Sequence, residues 1–283
     1  MKYATIQLMA DRHAIEQMCD WLSVSRSGYY DWLVRAPSER ALSTAKLDAE
    51  IQRIAEAEGY RPGAPKITER LRRAGHQVGR NRVAKRMRAL SIRSRVARKF
   101  KATTNSNHRL PVAANLLEQN FQAQAPNQKW VSDITYIDTA EGWLYLAVVM
   151  DLYARKIIGY ALSERMHTKL TVDALTMAIF RSKRPRDVIV HSDRGSQYCA
   201  AEYQRLLKAH GLVASMSKRG DCYDNAAMES WNRSLKTEAI HGERFGTRQQ
   251  AREAVFEYIE IYYNRQRLHQ ALGYQTPCEF EAA

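Results

Sequence analysis

The stretch K-W-V-S-D-I-T-Y-I, residues 129–137, decides how this chain folds. Its β-branched and aromatic residues predict a strand, and Asp133 interrupts an otherwise apolar and hydroxyl-bearing run. A carboxylate on a central strand is costly to bury unless it is paired or bound to a metal. Downstream, Y-L-A-V-V-M-D-L (145–152) and K-I-I-G-Y-A-L (156–162) read as two further strands, and the short turn between them predicts an antiparallel hairpin. A helix over 170–180, a buried-type strand over 187–193, a helix over 200–210 and a strand over 212–217 follow. One long helix starts near Asn225 and another occupies 248–263. Three meandering strands and then alternating helix and strand predict an α/β fold, a mixed five-stranded sheet with helices on its faces.

Two more acids stand out by placement. Asp193 closes a buried strand in H-S-D-R-G-S-Q-Y, the kind of strand end where sheet proteins often place their sites. Glu229 falls in the first turns of the helix after D-C-Y-D-N-A-A, where Asp224 or Asn225 can cap the exposed amides. Carboxylates from three separate elements, with few other catalytic groups, suit a hard divalent cation: Mg²⁺ or Mn²⁺ rather than zinc. Two ions about 4 Å apart could serve an in-line phosphoryl displacement without a side-chain nucleophile. Asp133, Asp193 and Glu229 are therefore the candidate catalytic and metal-binding residues. Asp151 reads instead as a structural acid and His191 as a satisfied strand histidine. Arg265, Arg267 and His269 read as packing and surface charge, and Trp130, Trp143 and Trp231 as core or interface aromatics.

Working outward toward the amino terminus, the charge becomes one-sided. Residues 1–110 hold 23 Lys/Arg against 10 Asp/Glu, while the remainder of the +14 chain is close to neutral. Within 61–110 there are 16 basic side chains and a single acid, Glu69, the electrostatic footprint of a polyanion binder. Residues 13–22 and 26–32 read as helices broken at Ser23-Val24-Ser25, the outline of a helix-turn-helix. Leu47, Ile51, Ile54 and Ala55 make an apolar stripe, Thr68 can cap a second helix reaching Ala74, and a third starts near Arg80. That third helix turns Val83, Met87 and Leu90 inward and leaves Arg80, Arg82, Lys85, Arg86 and Arg88 for DNA. Arg93, Arg95, Arg98, Lys99 and Lys101 extend the charge, which gives affinity for phosphates without sequence preference.

The expected organisation is a helical segment over 1–50, a basic three-helix module over 51–101, a linker over 102–126 with one short helix around 113–121, and the sheet domain over 127–283. The longest apolar run, Trp143 to Met150, is too short to span a membrane, which needs roughly 20 residues. No signal-peptide pattern opens the chain, and the four cysteines form no C-x-x-C pair. A reducing, cytoplasmic setting follows, nucleoid-associated for a DNA binder.

The residues also carry a resemblance. W-V-S-D-I-T-Y-I, V-V-M-D-L-Y-A-R-K-I-I-G-Y, H-S-D-R-G-S-Q-Y, D-N-A-A-M-E-S-W and Y-N-R-Q-R-L-H-Q-A-L-G-Y-Q-T-P are similar to segments of the OrfB transposases of bacterial insertion sequences, in the DDE branch of the retroviral integrase superfamily. Asp193 and Glu229 are separated by 35 residues, the spacing of that family. Lys236, seven residues past Glu229, falls where the family commonly has Lys or Arg, so phosphate contact is expected of it. The similarity runs over roughly 15–280 and implies an RNase H-like core, DNA strand cleavage and transfer at element ends, and homo-oligomers that synapse two ends. It also implies a separate upstream-frame protein or fusion. One departure is Pro62, which precedes Gly63-Ala64-Pro65 where the family usually has Tyr. Two rivals fit part of the pattern: a non-enzymatic DNA-binding regulator with a relic acidic core, and a stand-alone nuclease.

Overall fold

The computed structural model describes residues 2–95, 112–217 and 225–283. Helices α1 (Lys2–Met9), α2 (Ile15–Trp21) and α3 (Arg26–Val34) gather Ile6, Met18, Cys19 and Tyr29 into a small apolar cluster. The turn between α2 and α3 is where Ser23-Val24-Ser25 predicted it, and Ser25 caps α3 by accepting from the Gly28 N–H at 3.0 Å. Helices α4 (Glu39–Ala57), α5 (Ala64–Arg73) and α6 (Arg80–Ala89) enclose a second cluster that includes Leu47, Ile51, Ile67, Leu71, Val83 and Met87. α4 runs straight through the expected boundary at 50/51, because Leu47 and Ile51 are consecutive turns of one stripe.

Helix α5 starts earlier than the Thr68 cap predicts. Pro65 fits the first helical turn, where its missing N–H costs nothing, so the helix begins at Ala64 and Thr68 becomes interior. The Thr68 hydroxyl donates back to the Ala64 carbonyl at 2.7 Å. The short helix expected over 113–121 does not form in its described part. Asn115 instead turns its side-chain oxygen onto the Leu117 and Glu118 amides at 3.2 and 3.0 Å, a local bond that competes with helix. Arg98, Lys99, Lys101 and Asp224 lie outside the described residues.

The sheet is β1 (Lys129–Ile137), β2 (Leu144–Asp151), β3 (Lys156–Ser163), β4 (Ile189–Ser192) and β5 (Val213–Met216), in the order β3-β2-β1-β4-β5. β1–β2 and β2–β3 are antiparallel, as the meander predicts, while β1–β4 and β4–β5 are parallel. Helices α7 (Thr168–Arg181), α8 (Ser196–Cys199) and α9 (Ala201–Ala209) cover one face. α10 (Ala226–Leu235) and α11 (Arg248–Phe256) cover the other, each running on into a π-helical stretch, Lys236–Ile240 and Glu257–Tyr263. A 3₁₀ turn (Gln270–Leu272) and α12 (Pro277–Ala282) complete the chain. Gly159 lets α7 approach β3 directly: a Cβ there would sit 2.2 Å from the Ala174 carbonyl oxygen. No helix among the described residues is long and apolar enough to cross a membrane.

The basic helices do not simply face outward. Arg61 pairs with Glu257 at 3.2 Å and also donates to the Glu238 carbonyl, Arg73 pairs with Glu279 at 3.1 Å, and Arg95 pairs with Glu243 at 3.2 Å. Arg70 bonds Glu58 at 2.7 Å and the Gln266 carbonyl, and Lys66 lies 3.8 Å from Glu238. Part of the charge read as polyanion-binding is thus spent docking α5 and its flanks onto carboxylates and carbonyls of the sheet domain.

Candidate active site

Asp133 stands in the middle of the central strand, opposite Val148. β4 runs parallel beside it with Val131 level with His191, so Asp193 follows two residues past the last shared pair, as Asp133 does on its own strand. The parallel register therefore delivers both carboxylates to the same sheet end. Glu229 comes from the first turn of α10, which packs over β1, and it is exposed. Asn232, one turn further along α10, donates its amide to Asp133 at 2.7 Å. The Asp193 carboxylate accepts the Gly195 N–H at 2.9 Å, fixing the turn out of β4.

The electrostatics show that these acids feel one another. Burial, with the neighbouring Asp193 and Glu229 carboxylates, pushes the Asp133 carboxyl up to about 7 against the Ile134 amide and Asn232, which lower it. Beneath them Tyr198 and Ser132 share a buried hydroxyl–hydroxyl bond of 3.0 Å. Burial, then Asp193 and Asp133, hold the Tyr198 phenol well above its ordinary range. Tyr198 is accordingly a neutral floor to the site.

The donor set suits a hard cation. Beside the three carboxylates, the side-chain oxygens of Asn225 and Asn232 are buried and find no hydrogen-bond donor. Buried oxygens without donors among the described residues, next to a carboxyl that resists ionising, fit a hard cation. Convergence is nonetheless incomplete. Among the described residues no three His, Cys, Asp or Glu side chains are gathered closely enough to hold an ion as they stand. Asn225 does not cap α10; its side-chain amide lies 3.5 Å from the Ser132 carbonyl instead.

The remaining residues singled out from the sequence fall as follows. His191 is buried and satisfied, Nδ1 to Ser215 at 2.9 Å and Nε2 to Ser217 at 3.1 Å. Asp151 accepts from Asn127, Trp130 and Tyr153, a structural acid holding the strand ends. Trp130 and Trp231 are core, whereas Trp143 is exposed and meets Tyr136 edge-on. Arg86 is tied to Asp48 on α4 by two bonds of 2.6 and 2.7 Å, which withdraws it from the surface offered to DNA. Arg80, Arg82, Lys85 and Arg88 stay exposed.

Lys236 differs from the expectation. It is buried, donates to the Tyr136 carbonyl and sits 4.5 Å from the centre of the Tyr136 ring. Burial lowers its ammonium to about 8. The reason is the change from α to π geometry at Lys236, which ends the two-turn extrapolation from Glu229. Asn232 and Tyr198 were missed by the sequence reading, although Asn232 stands three residues after Glu229 on the same helix face.

Known proteins resemble this chain. An integrase core domain model matches residues 123–222, a second integrase core domain model matches 210–277, and an HTH-like domain model matches 43–100. The chain is 48% identical over 283 residues to the transposase InsF for insertion sequence IS3A of Escherichia coli (strain K12), covering 99% of this chain and 98% of that one. The chain belongs to this insertion-sequence transposase family. It is also 49% identical over 265 residues to the insertion element IS600 uncharacterized 31 kDa protein of Shigella sonnei, covering 93% and 97%. Among solved structures, the catalytic core domain of HTLV-2 integrase in complex with magnesium aligns with a TM-score of 0.43 at 15% identity, over 56% of this chain and 99% of that one. The simian T-cell lymphotropic virus intasome aligns at 0.49 and 15%, over 82% and 74%.

The five-stranded sheet with its helices is the RNase H-like core of this transposase. The first integrase core match takes in Asp133 and Asp193, and the second takes in Glu229. The HTH-like match takes in α5, α6 and most of α4, the helices around the second apolar cluster.

Proposed function

We propose that this transposase cuts and joins DNA at element ends through Asp133, Asp193 and Glu229, with Mg²⁺ or Mn²⁺ as cofactor, two ions in the working complex. The observation that carries the reading is Asp133: a carboxyl on the central strand, held up to about 7 by burial and two neighbouring acids, beside two donorless amide oxygens. When bound, the divalent ions supply charge that stabilises both the attacking and the leaving oxygen of a phosphodiester. Asp133 and Asp193 present their oxygens from adjacent parallel strands, so their spacing is set by the sheet and not by a loop. Asn232 holds one Asp133 oxygen at 2.7 Å and thereby orients the other. Glu229, exposed on α10, is the mobile third member and moves inward to complete the shell. Hydrolysis at the element terminus frees a 3′-hydroxyl, and that hydroxyl attacks a target phosphate in the same site.

On this reading the segments 1–50 and 51–101 grip DNA ahead of a linker over 102–126 and a catalytic core over 127–283. Arg80, Arg82, Lys85 and Arg88 make the phosphate contacts, and homo-oligomers, with an upstream-frame protein or fusion, synapse two ends. The decisive experiment is Glu229→Gln in a strand-transfer assay on duplexes bearing the terminal repeats. Joining should fall by more than about a hundredfold while DNA affinity is retained. Undiminished joining by the variant ends the assignment.

A further inference from the structure

A cavity of about 620 Å³ opens on the far side of α10 from Glu229, between α5, the β2–β3 turn and the segment after the second π-helix. Its walls carry Lys66, Arg155 and Arg267, and no acidic residue lines it. Arg267 is balanced from behind by buried Glu238, which it meets at 2.8 Å and which Tyr258 also bonds. Lys66 leans on the same carboxylate at 3.8 Å. Among the described residues Arg155 has no carboxylate within ion-pair distance, so Glu238 balances Arg267 and Lys66 but not Arg155. Two further observations point the same way. Trp231 lines the cavity, is 2% exposed, and its indole N–H finds no acceptor. Arg155 holds φ +53°, a left-handed backbone that an arginine adopts at a cost and a glycine would not.

We infer that this cavity binds a phosphodiester group of the DNA backbone, with Arg155 and Lys66 as its cations and Arg267 as its rear wall. The inference rests on the proposed DNA-end chemistry and adds a second grip on the same strand. The cavity opens beside the helix that carries Glu229: Ser230, its neighbour in the chain, and Gln270 are exposed among the lining residues, so DNA held near Glu229 has the cavity on the adjoining surface. The electrostatics inside favour an anion. Burial, then Arg267, Lys66 and Arg155, push the His269 imidazole far below its ordinary value, and burial with Arg267 lowers Lys66 to about 8. A phosphate would offset this crowding of like charge. The pocket's mixture of fork-shaped guanidinium and ammonium donors matches phosphate oxygens.

The test is DNA affinity against salt for the full chain and a terminal-repeat duplex, read by fluorescence anisotropy. Arg155→Ala should weaken binding about five- to tenfold and reduce the slope of log K on log salt by about one. Gln270→Glu, an isosteric change on the exposed rim, should also weaken binding without touching the core. Arg205→Ala removes one charge from α9, away from the cavity, and measures the general loss of positive field; the Arg155 effect must exceed it. The indole N–H resonances, followed by nitrogen-labelled spectra, should shift for one buried tryptophan on adding DNA to the parent and not to the Arg155 variant. Equal affinities and slopes for the parent and the Arg155 variant overturn the site while leaving the carboxylate chemistry standing. A response of that indole to orthophosphate but not to DNA also overturns it, because the site then serves a free anion. Failure of the parent itself to bind DNA sinks the proposed function instead.

Discussion

Replacing Asp133 by Asn should stabilise the metal-free protein, and the gain should depend on pH in a defined direction. The carboxyl has an ordinary value of 3.8 and is raised to about 7 by burial, Asp193 and Glu229. A group whose folded value lies above its unfolded one holds its proton more tightly in the folded state. Its penalty is therefore absent below about pH 4, grows as pH rises between the two values, and is complete above about 7. Three units correspond to about 4 kcal/mol at most, and coupling among the three acids makes a gain of about 2–4 kcal/mol the reasonable range. Asn keeps the shape and offers an oxygen to the Asn232 amide, so no bond need be lost. The assay is urea unfolding in EDTA at pH 8 and pH 5. The variant should be more stable at pH 8 by that amount and at pH 5 by only about two-fifths of it, the difference closing as the pH approaches 4. Magnesium should then raise the parent's stability at pH 8 and leave the variant unchanged. A variant no more stable at pH 8, or equally favoured at both pH values, refutes the claim that a buried, crowded carboxylate is the feature of this site.

Four further outcomes follow from the geometry. Lys236→Met, which keeps the stem and drops the charge, should leave the salt slope of DNA binding unchanged, since the ammonium is turned to the Tyr136 carbonyl; a slope reduced by about one would place it on a phosphate after all. Glu238→Gln should cost about 3–5 kcal/mol in urea unfolding, because it strands the Arg267 guanidinium in a buried setting. Arg82→Ala should weaken DNA binding and spare stability, whereas Arg86→Ala should lower stability through loss of its Asp48 pair and change affinity little. Arg73→Ala should change stability by less than about 1 kcal/mol, since its bond to Glu279 is solvent-exposed.

Much of the sheet was legible because its signals are local. β1 to β3 declare themselves by β-branched runs and a turn too short for a crossover, and Asp133 is conspicuous as a charge in such a run. Asp193 and Glu229 were legible by their positions at a strand end and a helix start. What the sequence could not display is pairing at a distance. Arg61 meets Glu257, Arg73 meets Glu279 and Arg95 meets Glu243 only because the helices dock on the sheet domain, so a basic segment that reads as one DNA-facing surface is in fact divided. Lys236 was misplaced for a related reason: a helix wheel assumes a constant repeat, and the repeat changes there. The 113–121 helix failed because one Asn side chain offered the backbone a competing bond.

These points meet in the element that follows Glu229. α10 continues into the π-helical stretch, whose Glu238 side chain is buried against Arg267 and Tyr258, while its carbonyl accepts from Arg61 and Arg95. A π-helical turn leaves carbonyls out of the usual α-helical ladder, and here two arginines, one just before α5 and one just after α6, satisfy one of them. The helix that carries the third carboxylate is therefore anchored at its far end by the docked basic module, and its opposite face forms the wall of the cationic cavity. Movement of the module would release two bonds to Glu238 and loosen α10 at the same time. On the proposed reading Glu229, exposed in the first turn of that helix, approaches Asp133 and Asp193 more readily when the other end is released. On that reading, DNA that competes for Arg61 and Arg95 would act on this same lever and change when the three acids come together.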